Sequence, residues 1–368
     1  MLHATYPGVN IHRGVYSTPQ RKSLDFSTLF LGFYDDEEYF VLLHNFNEAK
    51  QNTFLKANLE YLSVIKNYFE TGGVQLYILN FPLQKVIEID SITKFLKDYC
   101  DNLNDLEVIC TLGLIKEPEN RFNFSENEVI KAIHAVNLYA LATDRISISD
   151  INNLIKEEHL DKLGEAVIYY PWFIDYENRL IPPSIIAAAL SSKLAYDGVF
   201  FNSIANKPIP NLKRLSNDFS NQENSELYKD GINPITSINK QGLKIWGVKA
   251  FNSKYESVNE MRVLKYIKRQ LKRLSREYIF ETNTEELNSR LFIEITQFLL
   301  GLWQIGALSG NSKQEAFKVV GDIRNLDNSR DQITFNISVA ISKPLEFIII
   351  KLSRIDYDGV QESLSVES

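Results

Sequence analysis

LSVIKNYFETGGVQLYIL, running from Leu62 to Leu79, contains the change of period that decides the fold. Leu55, Leu59, Leu62, Ile65 and Phe69 recur every three or four residues, which places them on one stripe of a helix. Gly72-Gly73 stops that helix, because glycine enters the left-handed backbone conformation that closes a helix C-terminus without steric penalty. Val74 to Leu79 is then short and mostly apolar, the pattern of a strand buried on both faces.

The same alternation extends in both directions. Upstream, Leu29 to Phe33 reads as a strand, and Tyr39 to Leu43 is expected to pair with it across a solvated acidic turn, Asp35-Asp36-Glu37-Glu38. Downstream, Ser91 to Leu103 has helical spacing and Glu107 to Leu112 is strand-like. Ser125 followed by Glu128 is a capping box for a helix through Leu141. Arg145 to Ile148 and Ala166 to Tyr170 supply further strands. Alternating strands and helices predict an α/β fold: an open, largely parallel sheet with helices on both faces.

The pattern changes after Pro208. Pro210 to Asp230 is polar and reads as a linker. Leu243 to Trp246 follows as a short strand. A helix from about Met261 to Tyr278 buries Leu264, Ile267, Leu271 and Leu274, and another from Thr284 to Ile305 buries Leu287, Leu291, Ile295, Phe298 and Leu302. Ile333, Phe335, Ile337, Val339 and Ile341 alternate with smaller or polar residues, as in a half-buried strand, and Leu345 to Leu352 forms a second apolar run. Ser353 to Ser368 is a polar tail. The second half is therefore an α+β unit.

Bulk properties narrow the function. The 368 residues carry 47 acidic and 40 basic side chains, a net charge of −7 that disfavours general nucleic-acid binding. Cys100 and Cys110 form no CxxC, so a reducing cytoplasm during synthesis is expected. Met1 to Arg13 lacks the apolar core of a secretory signal, and no stretch is apolar enough to span a membrane. Neither common phosphate-binding loop occurs and no GxSxG elbow is present. The five histidines never pair at metal-ligand spacing; His134 reads as a structural histidine, and Glu157-Glu158-His159 diverge on a helix surface. The expectation is a protein without catalytic residues, metal or cofactor.

One constellation stands out. Lys265, Lys268, Arg269, Lys272, Arg273 and Arg276 form a continuous basic stripe on the helix that begins near Met261. Like charges at this spacing repel, so the stripe is either a solvated face or a docking face for an acidic partner.

Several segments in order resemble the tail sheath proteins of contractile phage tails and related injection systems. These are Tyr6-Pro7-Gly8-Val9, the opening helix–GG–strand, and Tyr169-Tyr170-Pro171-Trp172 with Pro182-Pro183-Ser184 and Asp197-Gly198-Val199. Gly231-Ile232-Asn233-Pro234-Ile235, Trp246-Gly247, the stretch from Tyr278 to Val319 and the KPLEF segment before Ile348 complete the series. Val248-Lys249-Ala250 after Trp246-Gly247, where the family often has Arg, and Asn10, where it more often has Tyr, depart from the pattern.

The resemblance implies a non-enzymatic structural subunit. Hexameric rings would stack helically around an inner tube, and a metastable extended sheath would contract to drive that tube through a target envelope. It implies an N-terminal arm at 1–22, an outer α/β domain at 23–228, an inner tube-facing domain at 229–352 and a C-terminal arm at 353–368. Tyr6, Pro7, Gly8, Val9, Phe347 and Ile349 would join neighbouring subunits. Lys313 and Lys318, or the basic stripe, would meet the tube. The implied partners are further copies of the chain, an inner tube protein, and baseplate and terminator proteins, in a particle assembled after synthesis in the bacterial cytoplasm. The rival readings are a baseplate or tube component of the same machine, or an α/β enzyme with a scattered site.

Overall fold

In the computed structural model, the two glycines of the opening stretch do different work. Gly72 caps its helix at φ 112°, a conformation that side-chain-bearing residues rarely adopt. Gly73 lies where a Cβ would come within 2.1 Å of the Tyr68 ring, so the chain turns into the sheet directly against that ring. The structure describes residues 25–366 except 86, 117–120, 123, 152–160, 239–240, 252, 256, 279–280, 282–283, 322–334, 342–349 and 356–360. The arm residues Tyr6, Pro7, Gly8, Val9, Phe347 and Ile349 lie outside the described residues.

The elements of the first half are β1 (Ser27–Gly32), β2 (Tyr39–Leu43), α1 (Phe46–Gln51), α2 (Thr53–Ala57), α3 (Leu59–Thr71), β3 (Leu76–Asn80), α4 (Ile89–Cys100) and β4 (Leu106–Leu112). After the short β5 (Ile115–Lys116) and β6 (Arg121–Phe122) come α5 (Glu126–Ala142), β7 (Ile146–Asp150), β8 (Val167–Tyr170), β9 (Phe173–Asp175), β10 (Leu180–Ile181) and α6 (Pro183–Tyr196). Then follow β11 (Leu212–Leu215), α7 (Asn221–Lys229), β12 (Asn233–Ile238) and β13 (Gly242–Ile245).

These strands build one eight-stranded sheet in the order β13-β12-β8-β7-β4-β1-β3-β2. The six inner strands are parallel, and β13 and β2 pair antiparallel at the two edges. Successive side chains of β1 point to opposite faces. Phe30 packs with Tyr61, Ile65 and Tyr68 of α3 and with α6, while Leu29 and Leu31 pack with α4 and α5. Both faces of the sheet are thus covered, as the alternation predicts.

Three local expectations are corrected. Tyr39–Leu43 pairs with β3 rather than β1, because β1 already has parallel neighbours on both sides. The polar stretch 210–230 is not a linker: Leu212–Leu215 pairs with β9, and Ser220 and Glu223 form a capping box that starts α7. The boundary at 228/229 falls inside the α/β unit, since β12 extends the sheet beside β8 and β13 closes its edge. The sheet therefore continues to Ile245.

The second unit contains α8 (Val258–Glu277), α9 (Glu285–Gln304), α10 (Lys313–Ala316), β14 (Phe317–Gly321), β15 (Phe335–Val339), β16 (Ile350–Ile355) and β17 (Gln361–Val366). Val263 and Ile267 of α8, Ile295, Leu299 and Leu302 of α9, and Phe317 of β14 share a separate core. β14 pairs with β15, and β16 pairs with β17, as two antiparallel ribbons outside the main sheet. The expected polar tail is thus partly a strand pair, whose register joins Ile350 to Val366 and Ile355 to Gln361.

Candidate functional site

The basic helix does not present a continuous charged face to solvent. Lys265 is 3% exposed, lies 3.0 Å from Glu165 Oε1 and donates to the Arg145 carbonyl at 2.9 Å. Arg269 donates through Nη1 to the Asp144 carbonyl at 2.7 Å. Lys268 and Lys272 approach the Asp144 carboxylate at 3.7 and 2.5 Å, and Arg273 meets Asp25 at 3.1 Å. Arg276, in the last turn, is exposed. Asp144 serves three of these contacts because it turns the chain between α5 and β7 at φ 55°, leaving its carbonyl and carboxylate directed to α8. Short polar residues such as Asp tolerate that conformation.

Burial pushes the Lys265 ammonium below its ordinary pKa, with the Glu165 charge acting in the opposite sense. The Arg269 guanidinium is likewise lowered, mainly by burial. Lys265, Lys268, Arg269, Lys272 and Arg273 thus meet oxygens of the chain's own α/β unit, while Lys268, Lys272 and Arg273 stay about half exposed. Sequence reading stopped the stripe one turn short. Arg262, three residues before Lys265, is 3% exposed and forms a paired-donor contact with Glu107, which is 1% exposed. An Arg on the apolar side of an amphipathic helix is the available signal, but its acid lies 155 residues away in sequence.

Lys313 and Lys318 stand differently. Both are exposed, Lys313 at the start of α10 and Lys318 on β14. In the β14–β15 ribbon Phe317, Val319, Ile337 and Val339 face the second core, while Lys318, Val320, Asn336 and Ser338 face outward. Lys318 lies opposite Ser338 and Val320 opposite Asn336. This small outward face joins a cation to Val320, which is 43% exposed. Trp246, Phe292, Ile293 and Ile305 add exposed apolar surface elsewhere. Among the described residues, the outer edges of both ribbons carry no further strand of this chain.

No group of three or more metal-ligating side chains occurs among the described residues, and no described helix is long and apolar enough to cross a membrane. Cys100 and Cys110 are buried thiols held above their ordinary pKa by burial. His134 lies half-buried on α5 near Gly164.

Residues 251–353 match the phage tail sheath C-terminal domain family. A 148-residue stretch, 39% of the chain, is 26% identical to the tail sheath protein of Vibrio phage KVP40 and spans 21% of that protein's length. A chain in the anti-feeding prophage baseplate superimposes with a TM-score of 0.74 at 19% identity, over 96% of this chain and 99% of that one. The anti-feeding prophage helical sheath in its contracted state gives 0.73 at 20% identity, over 94% and 99%. Residues 251–353 thus match the tail sheath C-terminal domain, and the chain shares the fold of these sheath-particle subunits over nearly its whole length.

Proposed function

We propose that this chain is the repeating subunit of a contractile sheath, stacked helically around an inner tube and acting structurally rather than as an enzyme. The observation that carries the reading is the end-to-end match to a helical sheath subunit, 94% of this chain against 99% of that one, with the sheath C-terminal domain inside it. An interface that is not closed by symmetry propagates as a helix, which is the assembly such a subunit needs.

The anatomy supports a division of labour. The α/β unit, through Ile245, is the outer body, and the α8–β17 unit faces the tube. The ribbons β14–β15 and β16–β17 have outer edges that accept a strand from a neighbour, with the arm around Tyr6–Val9 and the segment around Phe347 and Ile349 as donors. Main-chain pairing of this kind holds copies together while letting them reorient. The charge-paired α8 makes the two units of one subunit move together, so that a change at one interface reaches the other. Contraction then releases energy stored at assembly, with no nucleotide involved. The tube, the baseplate and a terminator protein complete the set of partners.

The test is electron microscopy of purified protein with and without its cognate tube protein. Hollow, helically ribbed cylinders are expected; dispersed particles under both conditions would overturn the assignment.

A further inference from the structure

At the carboxyl ends of the parallel strands the connections diverge between β1 and β4. From β1 the chain runs to α3 on one face of the sheet, and from β4 to α5 on the other. An open α/β sheet offers ligands a crevice where its connections part in this way. A cavity of about 390 Å³ occupies the crevice, bordered by Tyr34 after β1, Gly113 after β4 and Asp150 at the end of β7. That volume suits a small molecule. Leu59, which lines the cavity and is 74% exposed, marks its opening to solvent.

The charged groups of the lining are of both signs and are matched within the chain. Arg179 meets Asp175 at 2.9 Å and Glu177 at 2.8 Å. Asp150, 4% exposed, accepts the Ser184 backbone N–H at 2.9 Å through one oxygen and the Ser184 hydroxyl at 2.6 Å through the other. Burial pushes its carboxyl up to about 7 against the pull of those hydrogen bonds, so near neutral pH it readily holds a proton. Glu60, exposed beside Leu59, keeps its contact with water. An ion entering the cavity would lose hydration and meet charges already matched, a loss that an uncharged molecule avoids.

The unmet group is neutral. The Ser63 hydroxyl, on the α3 wall, is buried and has no hydrogen-bond partner. A buried hydroxyl left unpaired is unfavourable, and a ligand donor or acceptor that reaches it removes the penalty. Leu112, Trp172 and Tyr34 add apolar and aromatic lining. The indole N–H is committed to the Ile151 carbonyl at 2.9 Å, so Trp172 offers its ring alone. The Tyr34 phenol is raised above its ordinary pKa by burial first, then by the charges of Glu60 and Asp150, which keeps it a neutral donor.

We infer that this cavity binds a small uncharged aromatic molecule with one hydrogen-bonding head, a phenol or a carboxamide, its ring against Leu112, Trp172 and Tyr34 and its head at the Ser63 hydroxyl. Every lining residue comes from one subunit, so the site exists before assembly and stands apart from the sheath reading.

The experiment is calorimetric titration of the full chain with phenol and benzamide. Benzoate and benzylamine serve as charged probes of similar size, and toluene as one without a polar head. Saturable one-site binding of phenol or benzamide is expected, with both charged probes weaker. Ser63→Ala should weaken the bound neutral probe by roughly threefold to tenfold, the contribution of one neutral hydrogen bond, and leave any toluene binding unchanged. Leu59→Trp, at an exposed position over the opening, should weaken phenol, benzamide and toluene alike, which ties the heat to this cavity. No saturable binding of phenol or benzamide, equal affinity for benzoate or benzylamine, or undiminished affinity in either folded variant would overturn the inference.

Discussion

Arg262 and Glu107 meet face to face, Nε to Oε1 at 2.7 Å and Nη2 to Oε2 at 2.8 Å, and join α8 to the centre of the sheet. The guanidinium also donates to the Phe200 carbonyl through Nη1 and to the Ser191 carbonyl through Nη2, each at 2.8 Å. Two charges removed from water are stable only when their hydrogen-bonding capacity is met in this way. The pair registers the second unit on the first.

Removing one partner leaves the other buried and uncompensated, at about 3–5 kcal/mol. Arg262→Met or Glu107→Leu should therefore lower unfolding stability by that amount in urea denaturation. The double variant should recover at least half, since no charge then remains buried. Losses below about 1 kcal/mol in both single variants would show that the contact does not hold α8 in place.

The double glycine separates two mechanisms. Gly72→Ala forces a side-chain-bearing residue into the left-handed region, at about 1–2 kcal/mol. The Cβ of Gly73→Ala would fall 2.1 Å from Cε1 of Tyr68, whose hydroxyl is tied to Thr28 and to the Gln75 carbonyl, each at 3.1 Å. That ring cannot withdraw without breaking its hydrogen bonds, so Gly73→Ala should be the more damaging change. Thermal denaturation checks the order, and equal melting points would contradict it.

Period explains what could be read from sequence alone. The 3.6-residue stripes of α3, α8 and α9 and the apolar runs of β1, β3 and β4 are local signals, and each became the expected element. The capping box Ser125–Glu128 marks the α5 start, with Ser125 donating to Glu128 at 2.6 Å. The polar composition of 210–230 hid β11 and α7, because an exposed amphipathic helix and an edge strand bury little. The basic stripe was legible as charge, but its destination was not. Asp144, Glu165 and Glu107 are distant in sequence and reach α8 only after the sheet has formed. The cavity near Asp150 has the same origin, since its lining comes from strand ends and turns scattered between Tyr34 and Pro182.

Asp150 gives the stability a distinctive pH dependence. Its carboxyl rises from 3.8 unfolded to about 7 folded, chiefly through burial, with the Ser184 hydrogen bonds opposing. Between those values the folded state binds more protons than the unfolded one, so this group's contribution to stability falls as pH rises from about 4 to 7. The loss is on the order of 4 kcal/mol across that window. Glu38 and Glu128 are held below the ordinary carboxylate range by hydrogen bonds, from Lys85 and Tyr99 and from Ser125, and slope the other way. The difference between wild type and Asp150→Asn isolates the term: the variant should gain relative stability steadily from pH 4 to 7. Parallel stability curves would refute it.

The charge assignments on the second unit separate folding from assembly. Lys272→Glu sets a like charge against Asp144, only 2.5 Å from the present ammonium, and should loosen α8 on the α/β unit by about 1 kcal/mol or less, given its exposure. Lys313 and Lys318 are exposed, and Lys318 shares the outward ribbon face with Val320. Reversing both, Lys313→Glu with Lys318→Glu, should leave the melting temperature unchanged and still permit cylinders of sheath alone. Recruitment of the tube should fail, and the defect should be largest at low salt, where exposed charges act over the longest range. Co-assembly with tube protein, followed by sedimentation and microscopy, reads the outcome. Tube-filled sheaths from the double variant at wild-type yield would move the tube-facing surface away from β14, and the exposed end of α8 around Arg276 would become the next surface to reverse.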